Sequence, residues 1–203
     1  MANADAPFGA IPLRLMDGTP WSGAMAHAYY CDDSDANNLF IGDPVTTGGQ
    51  VNSTAFEAYP AGSLFEVIIA TAGGGAGSVL GFIVGFGPNR GDLTKQYRVA
   101  STERIVYVAD NPNLIFAMQE DSVGGALAAA NAGLNADFII GTGSTVTGMS
   151  ATEIDSSSIN TTNTLQLRVH RLYPVDDNAI GTNAIWEVSI NTDCHVFKYT
   201  TGQ

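Results

Sequence analysis

The sequence predicts a mainly β fold, an antiparallel β-barrel or sandwich, and three observations carry that expectation. Several short runs alternate apolar and polar residues with the period of two that sends successive side chains to opposite faces of a strand. Twenty-three glycines and eight prolines in 203 residues break the chain too often for a helical bundle. Hydrophobic residues make up 45% against 14% charged, enough apolar surface to build a core and too much for a disordered chain.

Taken in order, residues 1–38 hold no long periodic run, and Pro7, Pro12 and Pro20 cannot sit inside a regular ladder. They read as an extended N-terminal arm whose Phe8, Leu13, Leu15 and Trp21 must bury themselves on something, while residues 39–203 read as one β-rich domain. Residues 67–87 run for 21 positions without a charge, with Gly73, Gly77, Gly81 and Gly85 spaced like a membrane helix-dimer face. Seven glycines in that window and no flanking Lys/Arg cluster argue against a membrane span. The β-branched and aromatic flanks predict instead two buried strands, 64–71 and 79–86, joined by a Gly-rich connection.

Further on, Arg104-Ile-Val-Tyr-Val-Ala and Leu114-Ile-Phe-Ala-Met-Gln flank the turn formers Asp110-Asn-Pro-Asn and read as a hairpin. Residues 122–133 supply one short Ala-rich helix, with Ser122 as its cap, Gly133 as its stop, and Gly124 and Gly125 limiting its length. Residues 141–158 are rich in Gly, Ser and Thr and read as a surface loop. Leu165, Leu167 and Val169 alternate with Gln166, Arg168 and His170, and Trp186, Val188 and Ile190 alternate with Glu187 and Ser189. The polar stretch from Pro174 between these runs makes them a hairpin with a long loop.

Charge and motifs then exclude several kinds of chemistry. Eight Lys+Arg against 20 Asp+Glu leave 8 − 20 = −12, so a grip on nucleic acid through phosphate contacts is disfavoured. The N-terminus has no early Lys or Arg and no long apolar run, which predicts no secretory signal and a product that stays in the cytoplasm. Cys31 and Cys194, 163 positions apart, read there as free buried thiols. Residues 67–78 imitate a strand feeding a dinucleotide loop, but no helix follows to receive a phosphate.

His27, Cys31, Cys194 and His195 could converge on zinc, although adjacent Cys-His is poor chelate spacing because neighbouring strand residues point apart. The run Asp32-Asp33-Ser34-Asp35 lacks the Gly and the closing Glu of a calcium loop. No Gly-x-Ser-x-Gly elbow appears, and none of the three histidines has a sequence-local partner to orient it.

The order of several segments carries more than any one of them. Ala6-Pro-Phe-Gly with Pro12 close behind, Gly42-Asp-Pro-Val, Val108-Ala-Asp-Asn-Pro-Asn-Leu-Ile-Phe-Ala-Met-Gln, Asn135-Ala-Asp, Gly141-Thr-Gly-Ser-Thr-Val-Thr-Gly-Met-Ser, Leu165-Gln-Leu-Arg-Val-His-Arg-Leu and Asp177-Asn-Ala-Ile-Gly-Thr-Asn-Ala follow one another along nearly the whole chain. This succession resembles the capsid decoration, or cement, proteins of tailed bacteriophages. The family tends to place a His soon after an Ile-Asn at the last strand, where this chain has Ile190-Asn-Thr-Asp-Cys-His.

The resemblance implies a non-enzymatic virion protein, made in the host bacterial cytoplasm, that binds the outside of the shell and bridges major capsid protein subunits. It brings no catalytic residue and no cofactor, and it implies self-association as a homotrimer, with no nucleic-acid or membrane partner. Aromatic and arginine side chains tend to dominate such contacts, so Phe8, Arg14, Trp21, Tyr29 and Tyr30 are the contact candidates. Three other readings stand beside it: a coat or tail subunit; a carbohydrate-binding sandwich, for which Tyr97, Tyr107 and Trp186 are the strand aromatics; and a metal enzyme built on His27, Cys31, Cys194 and His195.

Overall fold

The computed structural model describes residues 3–200. Twelve strands follow in chain order: β1 (Ile11–Leu15), β2 (His27–Cys31), β3 (Pro44–Val51), β4 (Phe65–Ile69), β5 (Gly81–Phe86), β6 (Arg104–Ala109), β7 (Leu114–Gln119), β8 (Asn135–Ala136), β9 (Phe138–Ile139), β10 (Glu153–Ile154), β11 (Leu167–Leu172) and β12 (Ile185–Ile190). The fold is mainly β, as expected. It has two modules, a closed barrel in the order β2-β4-β3-β5-β6 and a five-stranded antiparallel sheet in the order β1-β7-β12-β11-β8, with a two-stranded β9–β10 ribbon beside them.

Strand β5 is the wall the two modules share. Ile83 faces the barrel interior with Val45, Val67, Val106 and Val108, while its neighbour Phe82 faces the other way into the core beneath the sheet. There Phe82 meets Phe116 of β7 edge-to-face, ring centroids 4.8 Å apart, and Phe138 of the ribbon at 6.5 Å. Such aromatic pairs add about 0.5–1.5 kcal/mol beyond the area they bury.

Both sequence-predicted strands of the uncharged 67–87 window are present, and they sit on either side of β3. No helix among the described residues is long and apolar enough to cross a membrane. The β11–β12 hairpin also forms, pairing Leu167 with Ile190 through Leu172 with Trp186 across one bulge. Its long loop is closed by Asn178, whose Nδ2 donates to the carbonyls of Tyr173 and Ile185 and whose Oδ1 accepts from Ile185 N.

Three expectations are corrected. Strands β6 and β7 have the bounds the sequence predicts but are not a hairpin: β6 pairs with β2 and β5, and β7 with β1 and β12. Asp110-Asn-Pro-Asn is therefore the passage from barrel to sheet. Its turn chemistry is the expected one, Asn111 accepting from Asn113 N (2.9 Å), but both strands are apolar on two faces and each finds longer-range partners.

The Ala-rich segment forms no α-helix, only a single 3-10 turn at Ala129–Asn131. Ser122 and Gly125 take positive φ, and the buried Leu127 turns its N–H away to Glu120 Oε2 (2.6 Å), which removes the amides a helix would need.

The segment before Leu39 is not a free arm. Strand β1 pairs with β7 on the edge of the sheet, and β2 lies in the barrel wall, paired with β6 from His27–Val108 to Cys31–Arg104. Pro12 is tolerated because β1 is an edge strand with a bulge between Pro12 and Arg14. Leu15 and Trp21 pack, partly buried, on the chain's own core.

Candidate functional site

Two features stand out, the mouth of the barrel and the outer face of the sheet. The mouth is built by side-chain parity: His27 shares the inward side of β2 with Tyr29 and Cys31, Phe65 that of β4 with Val67, and Asp110 continues the inward series Val106, Val108 just past β6. Together with Met25, Asn111, Pro112 and Phe197 they line a cleft of about 640 Å³.

At its floor the buried Asp110 carboxylate takes three contacts. Tyr29 donates its hydroxyl to Oδ2 (2.5 Å), and His27 Nδ1 lies 2.8 Å from Oδ1 and 3.0 Å from Oδ2. Burial and the adjacent carboxylate push the Tyr29 phenol far above its ordinary value, so it remains a donor. The His27 ring is largely exposed, and Asp110 engages its Nδ1. Ser63, the hydroxyl in the same cleft, is engaged with the Pro60 carbonyl at 2.7 Å. The arrangement offers a hydrogen-bonding imidazole among Met25, Phe65 and Phe197, and Phe65 and Phe197 are about half exposed.

The four residues considered for zinc separate. His195 is buried, donates through Nε2 to the Asp110 carbonyl (3.0 Å) and accepts at Nδ1 from Phe197 N (3.1 Å), which fixes a neutral tautomer in accord with a pKa lowered by burial. Cys31 donates to the Val67 carbonyl inside the barrel, and Cys194 to those of Thr164 and Leu165 at the end of the sheet. Both are free and buried, and burial pushes each thiol up to about 12.

The acidic run is used locally as well: Asp32 accepts from Ser34 N, and Asp35 pairs with the buried Arg98 at 3.4 Å. The Gly-rich loop that imitated a phosphate cradle is pinned by Gln166, which accepts from Gly73 N (2.8 Å) and donates to the Thr71 carbonyl (2.9 Å). Alternation assigned Gln166 to a polar outer face; it is fully buried because it reaches across to this loop.

The second feature is the side of the sheet that faces away from the core. Glu187, 3% exposed at the middle of β12, accepts from Arg14 of β1 (2.5 Å) on one side and from Arg171 of β11 (2.9 and 3.1 Å) on the other. His170 bonds Ser189 at 2.9 Å on this face, and its pKa is lowered by burial and the nearby arginines. Arg168, exposed, donates to Asn135 of β8 at 2.6 Å.

The five contact candidates divide accordingly. Arg14 lies on this outer face, and Phe8 and Trp21 are half-buried. Tyr29 and Tyr30 are corrected: at 5% and 4% exposure they belong to the barrel wall, since β2 is a barrel strand and Tyr30 packs under the loop carrying Phe56 and Tyr59. Of the aromatics considered for sugar binding, Trp186 is in the core and Tyr97 is buried and stacked on Phe40, leaving Tyr107 at the surface.

Sequence reasoning read Asp110 as a turn former and Glu187 as an ordinary outward residue. The one signal for Glu187 was an acid alternating with apolar residues in a strand whose hairpin partner carries Arg168 and Arg171.

Three quoted motifs meet at one junction. Ala10 N donates to the Gly42 carbonyl (3.1 Å), Ser150 N to the Ile41 carbonyl (2.8 Å), and the buried Asp43 accepts from Phe40 N (2.8 Å) and from the Ser150 hydroxyl (2.5 Å). Burial lifts the Asp43 carboxyl to about 6 despite these bonds. Compared with known proteins, the chain matches no family model, no curated protein and no solved structure.

Proposed function

We propose that the chain is a structural protein of a tailed-bacteriophage head that decorates the exterior of the shell and stabilises it by bridging major capsid protein subunits, after synthesis in the host cytoplasm. The observation that carries the reading is the use made of the motifs on which the resemblance rests. Phe8-Gly9, Gly42-Asp43 and Met149-Ser150 lock together at one junction, Asn135 and Asn178 tie down the ends of the sheet, and Asp110 anchors the passage between modules. The segments that carry the resemblance thus serve to hold the fold together, which supports a structural over a catalytic role.

The shell contact in this reading is the N-terminal strip around β1, where Ile11 and Met16 are 41% and 51% exposed and a small apolar groove of about 290 Å³ runs between Ile11, Trp21 and Met149. Apolar anchors near the centre of a contact supply most of its energy. Ile11→Glu, placed at an exposed position, leaves the fold intact and weakens binding to shells assembled without the chain. Undiminished binding by this variant moves the contact elsewhere, and no binding by the wild-type chain contradicts the decoration role.

A further inference from the structure

The cleft at the barrel mouth is a concave surface that the shell reading leaves unused. Its volume of about 640 Å³ falls in the range of small-ligand sites, and it shares no residue with the groove beside β1. Two aromatic rings from distant parts of the chain line it, Phe65 of β4 and Phe197 after β12, and both are left more than half exposed, at 54% and 53%, with Met25 in the same lining. Apolar groups gathered in one cleft, unlike single ones scattered over a surface, mark a place where something binds.

The polar groups of the same cleft narrow the chemistry of the ligand. No Lys or Arg is among the lining residues and the chain's net charge is −12, so a phosphate or carboxylate finds no permanent counter-charge. The one carboxylate, Asp110, is buried and already engaged by Tyr29 and His27, so a cationic ligand finds no free acid. A wholly apolar ligand would take the His27 imidazole and the Asn111 amide out of water without replacing their bonds, at a desolvation cost for each.

What satisfies both parts of the lining is a neutral molecule with hydroxyls along its rim and C–H patches on its faces, which describes a pyranose sugar. Aromatic ring faces are electron-rich and attract C–H groups that neighbouring oxygens polarise. A hydroxyl both donates and accepts. His27 gives Nδ1 to Asp110, and in the neutral ring that bond makes Nε2 an acceptor; Asn111 has its Oδ1 on Asn113 N and keeps its amide hydrogens as donors. Neither Nε2 nor that NH₂ group has a partner among the described residues.

We propose that the barrel mouth is a saccharide-binding site, which seats a neutral sugar against the Phe65 and Phe197 rings with His27 Nε2 accepting from one hydroxyl and Asn111 Nδ2 donating to another. Asp110 is a positioning residue: bonded by Tyr29, it holds the imidazole by Nδ1. The site uses none of the strand aromatics Tyr97, Tyr107 and Trp186, two of which are buried.

The test is titration of the full chain with trisaccharides of glucose, mannose, galactose and N-acetylglucosamine by saturation-transfer-difference NMR, with inorganic phosphate and N-acetylphenylalaninamide as the other probes. At least one trisaccharide is expected to bind saturably at millimolar concentration or below. Phe197→Ala and His27→Ala, both at exposed side chains, should each weaken that binding about tenfold, and His27→Gln should recover part of the loss. Tyr107→Ala, at a surface ring outside the cleft, should leave the affinity unchanged, as should Ile11→Glu, so the saccharide site and the shell contact can each fail while the other stands. Near-UV circular dichroism checks folding, and if Phe197→Ala unfolds the chain, Phe197→Leu reads the same loss. No binding by any of the trisaccharides overturns the proposal. So do binding that survives both cleft substitutions, binding that is lost with Tyr107, or a chain that takes phosphate or N-acetylphenylalaninamide and no sugar.

Discussion

Gly9 and Gly42 press backbone against backbone where the N-terminal segment joins the barrel: a Cβ on Gly9 would sit 2.6 Å from the Gly42 carbonyl oxygen, and one on Gly42 would sit 2.7 Å from that of Phe8. Both residues hold positive φ, +73° and +95°. Only glycine satisfies the conformation and the approach together.

Gly42→Ala therefore incurs both a left-handed backbone penalty and a clash with backbone atoms that cannot move aside, about 3 kcal/mol in all. For a chain of this size that is roughly a 10 °C fall in Tm. Gly18→Ala, also at positive φ but with nothing within 4 Å of the added carbon, isolates the conformational part and should cost less. Equal losses in thermal unfolding would show that the close approach contributes nothing.

Glu187 leads to a non-additive pair. Removing Arg14 or Arg171 alone leaves the buried carboxylate one guanidinium, so each Ala substitution alone should cost little, as for a solvent-screened pair. Removing both strands a charge that is 3% exposed, and the double variant should lose about 3–5 kcal/mol, well beyond the sum. Urea unfolding of the four proteins in the cycle measures this, and simple additivity would mean that Glu187 is solvated without them.

Stability should rise as pH falls from 8 toward 6.5, the reverse of ordinary acid loss. Burial together with Asp5 and Asp121 lifts the Glu153 carboxyl to about 7 from its usual 4.5, so the folded state binds that proton more tightly than the unfolded chain does. The ionised form is a penalty above pH 7, relieved on acidification. Asp43, lifted to about 6, acts in the same direction over a lower window. His170 and His195, held neutral by burial, act oppositely and begin to cost stability below their ordinary 6.5. In a Tm–pH profile, Glu153→Gln should be more stable than wild type at pH 8 and flat between 8 and 6.5. An unchanged slope would assign the effect to other groups.

Deleting residues 2–23 should damage the fold instead of freeing a dispensable arm. It removes β1, bares the edge of β7, and strips Leu15 and Trp21 from the core they cover. A large loss of cooperativity on thermal unfolding is expected. A truncated chain that melts like the full one would return the N-terminal segment to the role of a free arm.

What was legible in the sequence, and what was not, follows from the range of the interactions. Strands β6, β7, β11 and β12 were readable because five or six β-forming residues in a row declare themselves locally. Their pairing was readable only for β11–β12, where a polar loop returns the chain to its own neighbour. Strands β1 and β2 were missed because each is only five residues long, β1 contains Pro12, and they owe their form to partners far along the chain, β1 to β7 about 100 residues on and β2 to β6 about 80 residues on. The same limit hid the sites: Asp110 gains its meaning from His27 and Tyr29 more than eighty positions earlier, and Glu187 from Arg14 at a separation of 173.

The measurement that bears most directly on the decoration role is cosedimentation of the purified chain with major-capsid shells assembled without it. Saturable binding, reaching a fixed number of copies per shell and raising the temperature at which the shell disrupts, is the result the account predicts. A chain that stays in the supernatant at every concentration, with expanded and unexpanded shells alike, would contradict it.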